Sequence, residues 1–210
     1  MGYIVSFIAQ KGGVGKSTLA RALAREACAG GWDVKVADLD TQQGTVADWH
    51  KVRLNSGLDQ VGSVEVIGTV ATALKSADSH DLLILDAAAR ASAVTADLAK
   101  HSDLSVIPTC ASRDDLMPAI RLANELRKSG VDTNKIVLAL TRVTTEAEIR
   151  EARDFIAEAG YTTLEGCLYE KPAYRQAQND GRAVTETRYK ALNDKAGLLM
   201  QSLINKIAEQ

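Results

Sequence analysis

A glycine-rich segment near the start of the chain has the composition of a phosphate-binding loop. It reads QKGGVGKST and spans residues 10–18. Glycine lets the backbone adopt positive φ and turn its N–H groups toward phosphate oxygens, and a helix that begins at the end of the loop adds partial positive charge. In such a loop Lys16 bridges the β- and γ-phosphates of ATP, the Ser17 hydroxyl ligates Mg²⁺, and Thr18 reaches the α-phosphate.

The segment departs from the usual P-loop pattern at one position. Gln10 stands where the pattern G-x-x-x-x-G-K-[ST] has its first glycine, so that K-G-G-x-G-K-[ST] remains. Chance produces these six fixed positions in only on the order of 10⁻⁵ of chains of this length. The alternative is a glycine-rich turn without a ligand, which the context of strand, loop and helix disfavours. The loop residues predicted to contact ATP, besides the three named above, are Lys11, Gly12, Gly13, Val14 and Gly15.

Lys11 is the residue whose role the loop chemistry leaves open. It lies five positions before Lys16, at one end of the loop. It could cross to the phosphates of a second subunit and neutralise charge in the transition state, as an arginine finger does. It could equally be a solvated loop lysine.

Three aspartates follow apolar segments that read as strands. Asp38 and Asp40 stand two positions apart and therefore on the same side of an extended chain, and Asp86 ends the run Leu82–Asp86. Asp86 has the Walker B form, in which the aspartate holds Mg²⁺, here through a water. Asp38 is the better candidate for an indirect partner of the metal, and a helix cap or a turn is the alternative role for each aspartate. Asp40 is the better candidate for orienting the attacking water. The predicted metal site consists of Ser17, Asp38 and Asp86.

Short runs rich in Val, Ile and Leu predict the strands that position these residues. Apolar residues at helical spacing follow several of the runs and end the chain. Strands that alternate with helices indicate an α/β fold, with a doubly wound, mainly parallel sheet between two helical layers, as in P-loop NTPases, and with ligands at the carboxyl ends of the strands. We expect one domain over residues 1–210. The predicted strands are Tyr3–Ala9, Asp33–Leu39, Ser63–Gly68, Leu82–Asp86, Leu104–Pro108, Lys135–Thr141 and Thr162–Leu168.

Composition and charge narrow the classes of protein to which the chain could belong. Hydrophobic residues make up 46% of the chain, but no apolar run approaches the roughly 20 residues that span a bilayer. We read no signal peptide and expect a cytoplasmic protein. The net charge of −2 is unlike that of a basic nucleic-acid-binding domain. It is still compatible with a local basic patch. Cys28, Cys110 and Cys167 match no zinc-binding spacing.

The segment from Lys11 to Ser17 resembles the deviant Walker A box of the ParA/MinD ATPases. In that family the first lysine reaches across an ATP-sandwiched dimer, so the resemblance implies a functional role for Lys11. The segment ADLDTQQG, residues 37–44, resembles the second box of the family, with Thr41 in place of its proline.

Two later segments extend the resemblance over nearly the whole chain. DLLILDAAARAS, residues 81–92, resembles the Walker B and switch region, although Ala88 and Ala89 replace the more usual proline or glycine. Residues 171–186 resemble the late segment of the family, and the match is looser after residue 110. In its short length, and in the absence of an N-terminal DNA-binding extension that we expect, the chain resembles the small ParA type, which includes the plasmid partition protein ParF.

The resemblance implies a slow Mg²⁺-dependent ATPase that acts as a switch. ATP drives formation of a homodimer, and of higher assemblies in some members. The dimer binds DNA without sequence preference and associates with the nucleoid. A ParB-like or centromere-binding protein stimulates hydrolysis during plasmid or chromosome segregation. No membrane association is expected, because the last helix lacks a basic amphipathic face.

Binding surfaces are less sharply defined by the sequence. DNA binding requires clustered basic residues, and Thr141, Arg142 and the loop at Pro172 are candidates to contact adenine. The DNA-binding candidates are Arg121, Arg127, Lys128, Arg175, Arg182, Arg188 and Lys190.

Two other functions compete with DNA partition. A switch of the same fold could position a protein cargo. Alternatively, a metabolic P-loop enzyme could transfer phosphate to a small molecule.

Overall fold

A parallel sheet forms the centre of the molecule. The computed structural model describes residues 2–89 and 93–210. Within them the sheet has seven strands in the order β3-β2-β4-β1-β5-β6-β7, and every neighbouring pair is parallel. The strands are β1 (Tyr3–Phe7), β2 (Val34–Asp38), β3 (Ser63–Val66), β4 (Leu82–Asp86), β5 (Leu104–Thr109), β6 (Ile136–Leu140) and β7 (Thr162–Thr163).

Helices cover both faces of the sheet and complete three layers. Apolar residues of α1, α2, α7 and α8 pack on one face, and those of α3, α4, α5 and α6 on the other. None of the helices in the described ranges is both long and apolar enough to cross a bilayer. Their bounds are α1 (Lys16–Ala29), α2 (Thr45–Asn55), α3 (Val70–Leu74), α4 (Ala93–His101), α5 (Arg113–Lys128), α6 (Glu146–Glu158), α7 (Pro172–Asn179) and α8 (Lys190–Ala208).

The predicted α/β class and the parallel sheet are confirmed. Strands β1, β4, β5 and β6 are covered by helices on both faces, which explains their continuous apolar sequences. The prediction of a strand over Thr162–Leu168 is wrong in length, because β7 ends at Thr163. Gly166 follows with φ of +72°, and a Cβ there would lie 2.8 Å from the backbone nitrogen of Leu199. The chain therefore turns closely beneath α8 instead of continuing the strand.

The strand order brings the predicted site residues to one edge of the sheet. β1 lies between β4 and β5, and Phe7, the last residue of β1, is in register with Asp86. Asp38, the last residue of β2, is also in register with Asp86. The loop that follows β1 and both aspartates thus share the carboxyl edge, as expected for an open parallel sheet.

A buried ion pair fixes the C-terminal end of α2. Arg53, which is 3% exposed, donates through Nη1 to Glu186 Oε2 at 2.6 Å and through Nη2 to Oε1 at 3.0 Å. Nη1 also donates to the carbonyl of Gly181 at 3.1 Å. Arg25 on α1 donates to Glu186 Oε1 at 3.2 Å. The pair therefore joins α1, α2 and the loop that precedes α8.

Glu186→Gln is expected to destabilise the chain by about 3 kcal/mol at pH 7, since it leaves the buried Arg53 without its anion. Burial raises the pKa of Glu186, but hydrogen bonds from Arg53 and the Ala183 N–H outweigh it, so the pKa lies below its ordinary 4.5. The ionised carboxylate therefore stabilises the fold above pH 4.5, and this contribution is lost as the pH falls further. Urea unfolding of both chains at pH 7 and at pH 3.5 measures the difference, which should shrink at the lower pH.

The matched control is Asp194→Asn, which removes an exposed ion pair with Lys190 on α8. Its effect should stay below about 1 kcal/mol at both pH values. Equal losses from the two substitutions at pH 7 would contradict a special role for the buried pair.

Candidate functional site

The glycine-rich loop joins β1 to α1 and adopts backbone conformations that favour glycine. Gly13 and Gly15 have φ of +76° and +100°, which L side chains rarely adopt. A Cβ on Gly15 would also lie 3.2 Å from Cγ2 of Thr141. Among the described residues, no side chain caps the first turn of α1. The N–H groups of such a turn are the usual donors to a bound phosphate.

A cavity of about 590 Å³ opens beside this loop, within the usual range for a small-ligand site. Its walls come from the loops after β1, β2, β4 and β6, and from α1, α2 and α7. Most of the residues predicted for nucleotide and metal binding meet in it. Those that line it are Gly12, Gly13, Gly15, Lys16, Ser17, Thr18, Asp40, Asp86, Thr141 and Arg142.

Lys16 supplies positive charge to the cavity. Only 8% of its surface is exposed. Burial lowers the pKa of its ammonium group, while the Asp86 and Asp40 carboxylates oppose that shift. A cation that is partly removed from water interacts strongly with an anionic ligand.

Ser17 and Asp86 are the lining residues whose chemistry could hold a divalent cation. Asp86 is 1% exposed, and its Oδ1 has no hydrogen-bond partner in the described part of the chain. Burial raises the pKa of Asp86 to about 7, and a hydrogen bond with Ser17 acts in the opposite direction. An unpartnered carboxylate oxygen beside a hydroxyl offers the oxygen ligands that Mg²⁺ prefers, so these residues fit that ion.

Asp38 lies beside Asp86, but its carboxylate binds backbone. Its Oδ2 accepts from the N–H groups of Val46 at 2.8 Å and Ala47 at 3.3 Å, and its Oδ1 from the N–H of Asp40 at 3.2 Å. These bonds cap the first turn of α2, which was the alternative role for this aspartate. A part for Asp38 at the metal stays a prediction.

Asp40 forms part of the cavity wall in a tight turn. Its Oδ1 accepts from the N–H groups of Gln42 at 3.3 Å and Gln43 at 3.1 Å. These contacts hold the carboxylate at the cavity, where it can receive a water. Its catalytic role stays a prediction.

Lys11 points away from the cavity in this single chain. Its Nζ lies 2.9 Å from Asp115 Oδ1 and also donates to the carbonyl of Asp114, at the start of α5. Lys11 and Val14 line a separate small cleft against α5. A contact of Lys11 with a partner's phosphates concerns a second chain and stays a prediction.

Another part of the cavity wall is built by the predicted adenine-binding residues Thr141 and Arg142. The Thr141 hydroxyl donates to the carbonyl of Val14 at 2.8 Å. Arg142, with φ of 54°, donates through Nε to Glu170 at 2.7 Å. Pro172 is the first residue of α7, next to the cavity-lining Lys171. Contacts of these residues with a base stay predictions.

The structure separates the predicted DNA-binding residues into two sets. Arg121, Arg127 and Lys128 lie on α5, on one face of the sheet. The others follow α7 or lie on it and at the start of α8, helices that pack on the opposite face. All seven side chains are exposed, and the helices that carry the two sets pack on opposite faces of the sheet. The second set consists of Arg175, Arg182, Arg188 and Lys190.

The sequence analysis missed several polar residues of the cavity wall, among them Arg21 and Thr45. Arg21 lies four positions after Ser17, so the spacing on one helix face could have indicated it. Thr45 stands five positions after Asp40 in a turn, where no spacing rule applies. The predicted switch segment ends with residues 90–92, which lie outside the described residues.

Comparisons with known proteins agree with this geometry. The family model for the CobQ/CobB/MinD/ParA nucleotide binding domain matches residues 5–184. A search of curated proteins finds no match.

Solved structures with the same fold cover almost the whole chain. The cell division ATPase MinD of Pyrococcus furiosus is 17% identical, with a TM-score of 0.76 over 98% of this chain and 99% of its own. Septum site-determining MinD of Pyrococcus horikoshii, complexed with Mg-ADP, is 16% identical, with a TM-score of 0.76 over 99% and 98%. A putative plasmid partition protein of Borrelia burgdorferi, bound to AMPPNP, is 15% identical, with a TM-score of 0.76 over 98% and 100%.

Lys16→Ala is expected to weaken ADP binding by about 100-fold or more, because it removes a buried charge that would face the phosphates. Calorimetric titration with ADP and Mg²⁺ measures the affinity. The matched control is Lys51→Ala on the outer surface of α2, where the side chain is 74% exposed. Similar ADP affinity in the two variants would mean that the cavity does not bind phosphate through Lys16.

Proposed function

The chain belongs to the CobQ/CobB/MinD/ParA nucleotide-binding domain family, and on that premise we propose that it is a slow, Mg²⁺-dependent ATPase of the ParA type. The observation that carries the proposal is the single cavity in which Lys16, Ser17, Asp40 and Asp86 meet. The Mg-ADP and AMPPNP in two structures of similar fold support ATP, ADP and Mg²⁺ as its ligands.

The phosphate groups are held by the loop between β1 and α1. Backbone N–H groups of the loop and of the first turn of α1 bind the phosphate oxygens, and Lys16 bridges the β- and γ-phosphates. Thr18 reaches the α-phosphate. Ser17 and Asp86 hold Mg²⁺, which when bound neutralises charge on the phosphates.

Hydrolysis requires a water placed in line with the γ-phosphate. Asp40 is fixed at the cavity wall by the N–H groups of Gln42 and Gln43. From there it orients the attacking water. Because phosphoryl transfer depends largely on positioning and charge stabilisation, a site completed only by a second chain hydrolyses slowly on its own.

That second chain is a copy of this protein. Lys11 leaves Asp115 and reaches the phosphates bound to the partner, so that ATP lies between the two subunits. The ion pair that it gives up is partly exposed, with 43% of the Lys11 side chain accessible, and such pairs contribute about 1 kcal/mol or less. Contact with phosphate offsets a loss of this size.

ATP with Mg²⁺ is expected to convert the wild-type chain into a dimer. Asp40→Ala should still bind ATP and should accumulate as a stable dimer, because hydrolysis is blocked. Lys11→Ala should bind nucleotide and remain a monomer. Size-exclusion chromatography with light scattering measures the mass of each chain with ATP and with ADP.

The two variants test separate parts of the proposal. An Asp40→Ala chain that hydrolyses ATP at the wild-type rate would remove Asp40 from catalysis. A Lys11→Ala chain that dimerises with ATP as the wild type does would contradict the exchange of lysines.

We further infer that the ATP-bound dimer binds DNA without sequence preference and serves plasmid or chromosome segregation. It associates with the nucleoid in that state. A ParB-like or centromere-binding partner stimulates hydrolysis and releases the dimer. The exposed basic residues of α5, Arg121, Arg127 and Lys128, support this inference, because Lys11 contacts the start of the same helix. Nucleotide-dependent movement of Lys11 can therefore affect how α5 is held.

Replacement of Arg121, Arg127 and Lys128 together by Gln should weaken DNA binding of the ATP-bound dimer. If each side chain contacts one phosphate, the slope of log affinity against log salt should fall by about 2.7. Fluorescence anisotropy with unrelated DNA duplexes at several salt concentrations measures the slope.

The comparison variant replaces Arg182, Arg188 and Lys190 on the other face of the sheet. An equal fall in slope there would extend the DNA surface to that face. No DNA affinity of the wild-type ATP dimer at low salt would contradict the DNA-binding function.

A further inference from the structure

Thr45 places a second hydroxyl at the metal end of the cavity. It is the first residue of α2, and it lines the cavity together with Ser17 and Asp86. Its Oγ1 donates to Ser17 Oγ at 3.1 Å. Ser17 is in turn hydrogen-bonded to the carboxylate of Asp86, so the two hydroxyls and this carboxylate form a continuous chain of oxygens.

The backbone around Thr45 is held from several directions. The carbonyl of Thr45 accepts from Arg21 Nη2 at 2.6 Å, and Arg21 Nη1 donates to Gln178 on α7 at 3.0 Å. The N–H groups of the two residues that follow Thr45 donate to the buried carboxylate of Asp38. Gly44, the residue before, has φ of +55°. Thr45 is thus fixed in position before any ligand binds.

The distance between the two hydroxyls matches the geometry of a metal site. Mg²⁺ is octahedral, with oxygens at about 2.1 Å, so neighbouring ligand oxygens lie about 3.0 Å apart. The 3.1 Å between Ser17 Oγ and Thr45 Oγ1 is close to that edge length. Asp86, which lines the same cavity, adds a buried Oδ1 that has no hydrogen-bond partner within residues 2–89 and 93–210.

We propose that Thr45 Oγ1 is a direct ligand of the divalent cation, beside Ser17 Oγ. This inference rests on the proposed function, which provides the nucleotide and Mg²⁺, and adds a ligand that lies on α2. The metal then connects α1 to the first turn of α2. Arg21 and Asp38 are positioning residues in this arrangement, because they hold the backbone on either side of the ligand.

The closing experiment measures metal affinity of the full chain loaded with ADP. Mn²⁺ serves as the probe, since it prefers the same oxygen ligands as Mg²⁺, and the free ion is followed by electron paramagnetic resonance. Thr45→Val should raise the Kd for Mn²⁺ about tenfold. Thr45→Ser keeps the hydroxyl and should stay within about twofold of the wild type. Thr162→Val, on the exposed strand β7, is the control.

A metal switch separates a direct ligand from a merely structural threonine. Thr45→Cys presents a soft sulfur, which should weaken Mn²⁺ binding and strengthen Cd²⁺ binding relative to the wild type. Cysteine is close to threonine in size. The Thr45→Cys variant therefore tests direct coordination even if Thr45→Val unfolds. Urea unfolding of each variant verifies the fold.

Unchanged Mn²⁺ affinity in Thr45→Val, or no gain for Cd²⁺ in Thr45→Cys, would overturn direct coordination by Thr45. Failure of the proposed function gives a different result, in which the wild-type chain binds no ADP with Mg²⁺ or Mn²⁺. That result would overturn both the proposed function and the coordination by Thr45. A wild-type chain that binds ADP and metal, with variants that match it, would overturn only the part assigned to Thr45.

Discussion

The site depends on two buried carboxylates that lie side by side at the ends of neighbouring strands. Asp38 and Asp86 are in register at the ends of β2 and β4, and both are almost completely inaccessible to water. Asp38 is stabilised by backbone N–H groups of α2, whereas burial raises the pKa of Asp86 to about 7. The position of the first turn of α2 thus follows from the hydrogen bonds that Asp38 accepts, whereas Asp86 keeps an Oδ1 with no partner among the described residues.

The sequence was most informative where one physical requirement determines the residue type. Positive φ at Gly13 and Gly15 requires glycine, so the spacing alone identified the loop. Strands buried on both faces require apolar runs, so β1 and β4 were found nearly to their ends. The parallel order of such strands then placed Asp86 beside the loop.

Other features depend on contacts between distant segments and could not be read from local patterns. β7 is short because Gly166 passes beneath α8, and in residues 162–168 this glycine marks a turn but does not show that α8 lies against it. Thr45 enters the site because a buried aspartate and an arginine from α1 hold its turn. The division of basic residues between two sheet faces is likewise a consequence of topology, since their number and spacing carry no information about it.

The anchors at the two ends of α2 determine how this helix can move. Its first turn is held by Asp38 and by the Thr45 hydroxyl, and its last turn by Arg53 in a buried ion pair. Exposed Val52 and Leu54 flank Arg53 in sequence. Because both ends are anchored, α2 connects the cavity wall at Thr45 to the buried ion pair that joins α1, α2 and the loop before α8. The exposed face of α2 therefore lies directly between the nucleotide-binding end of the sheet and this ion pair.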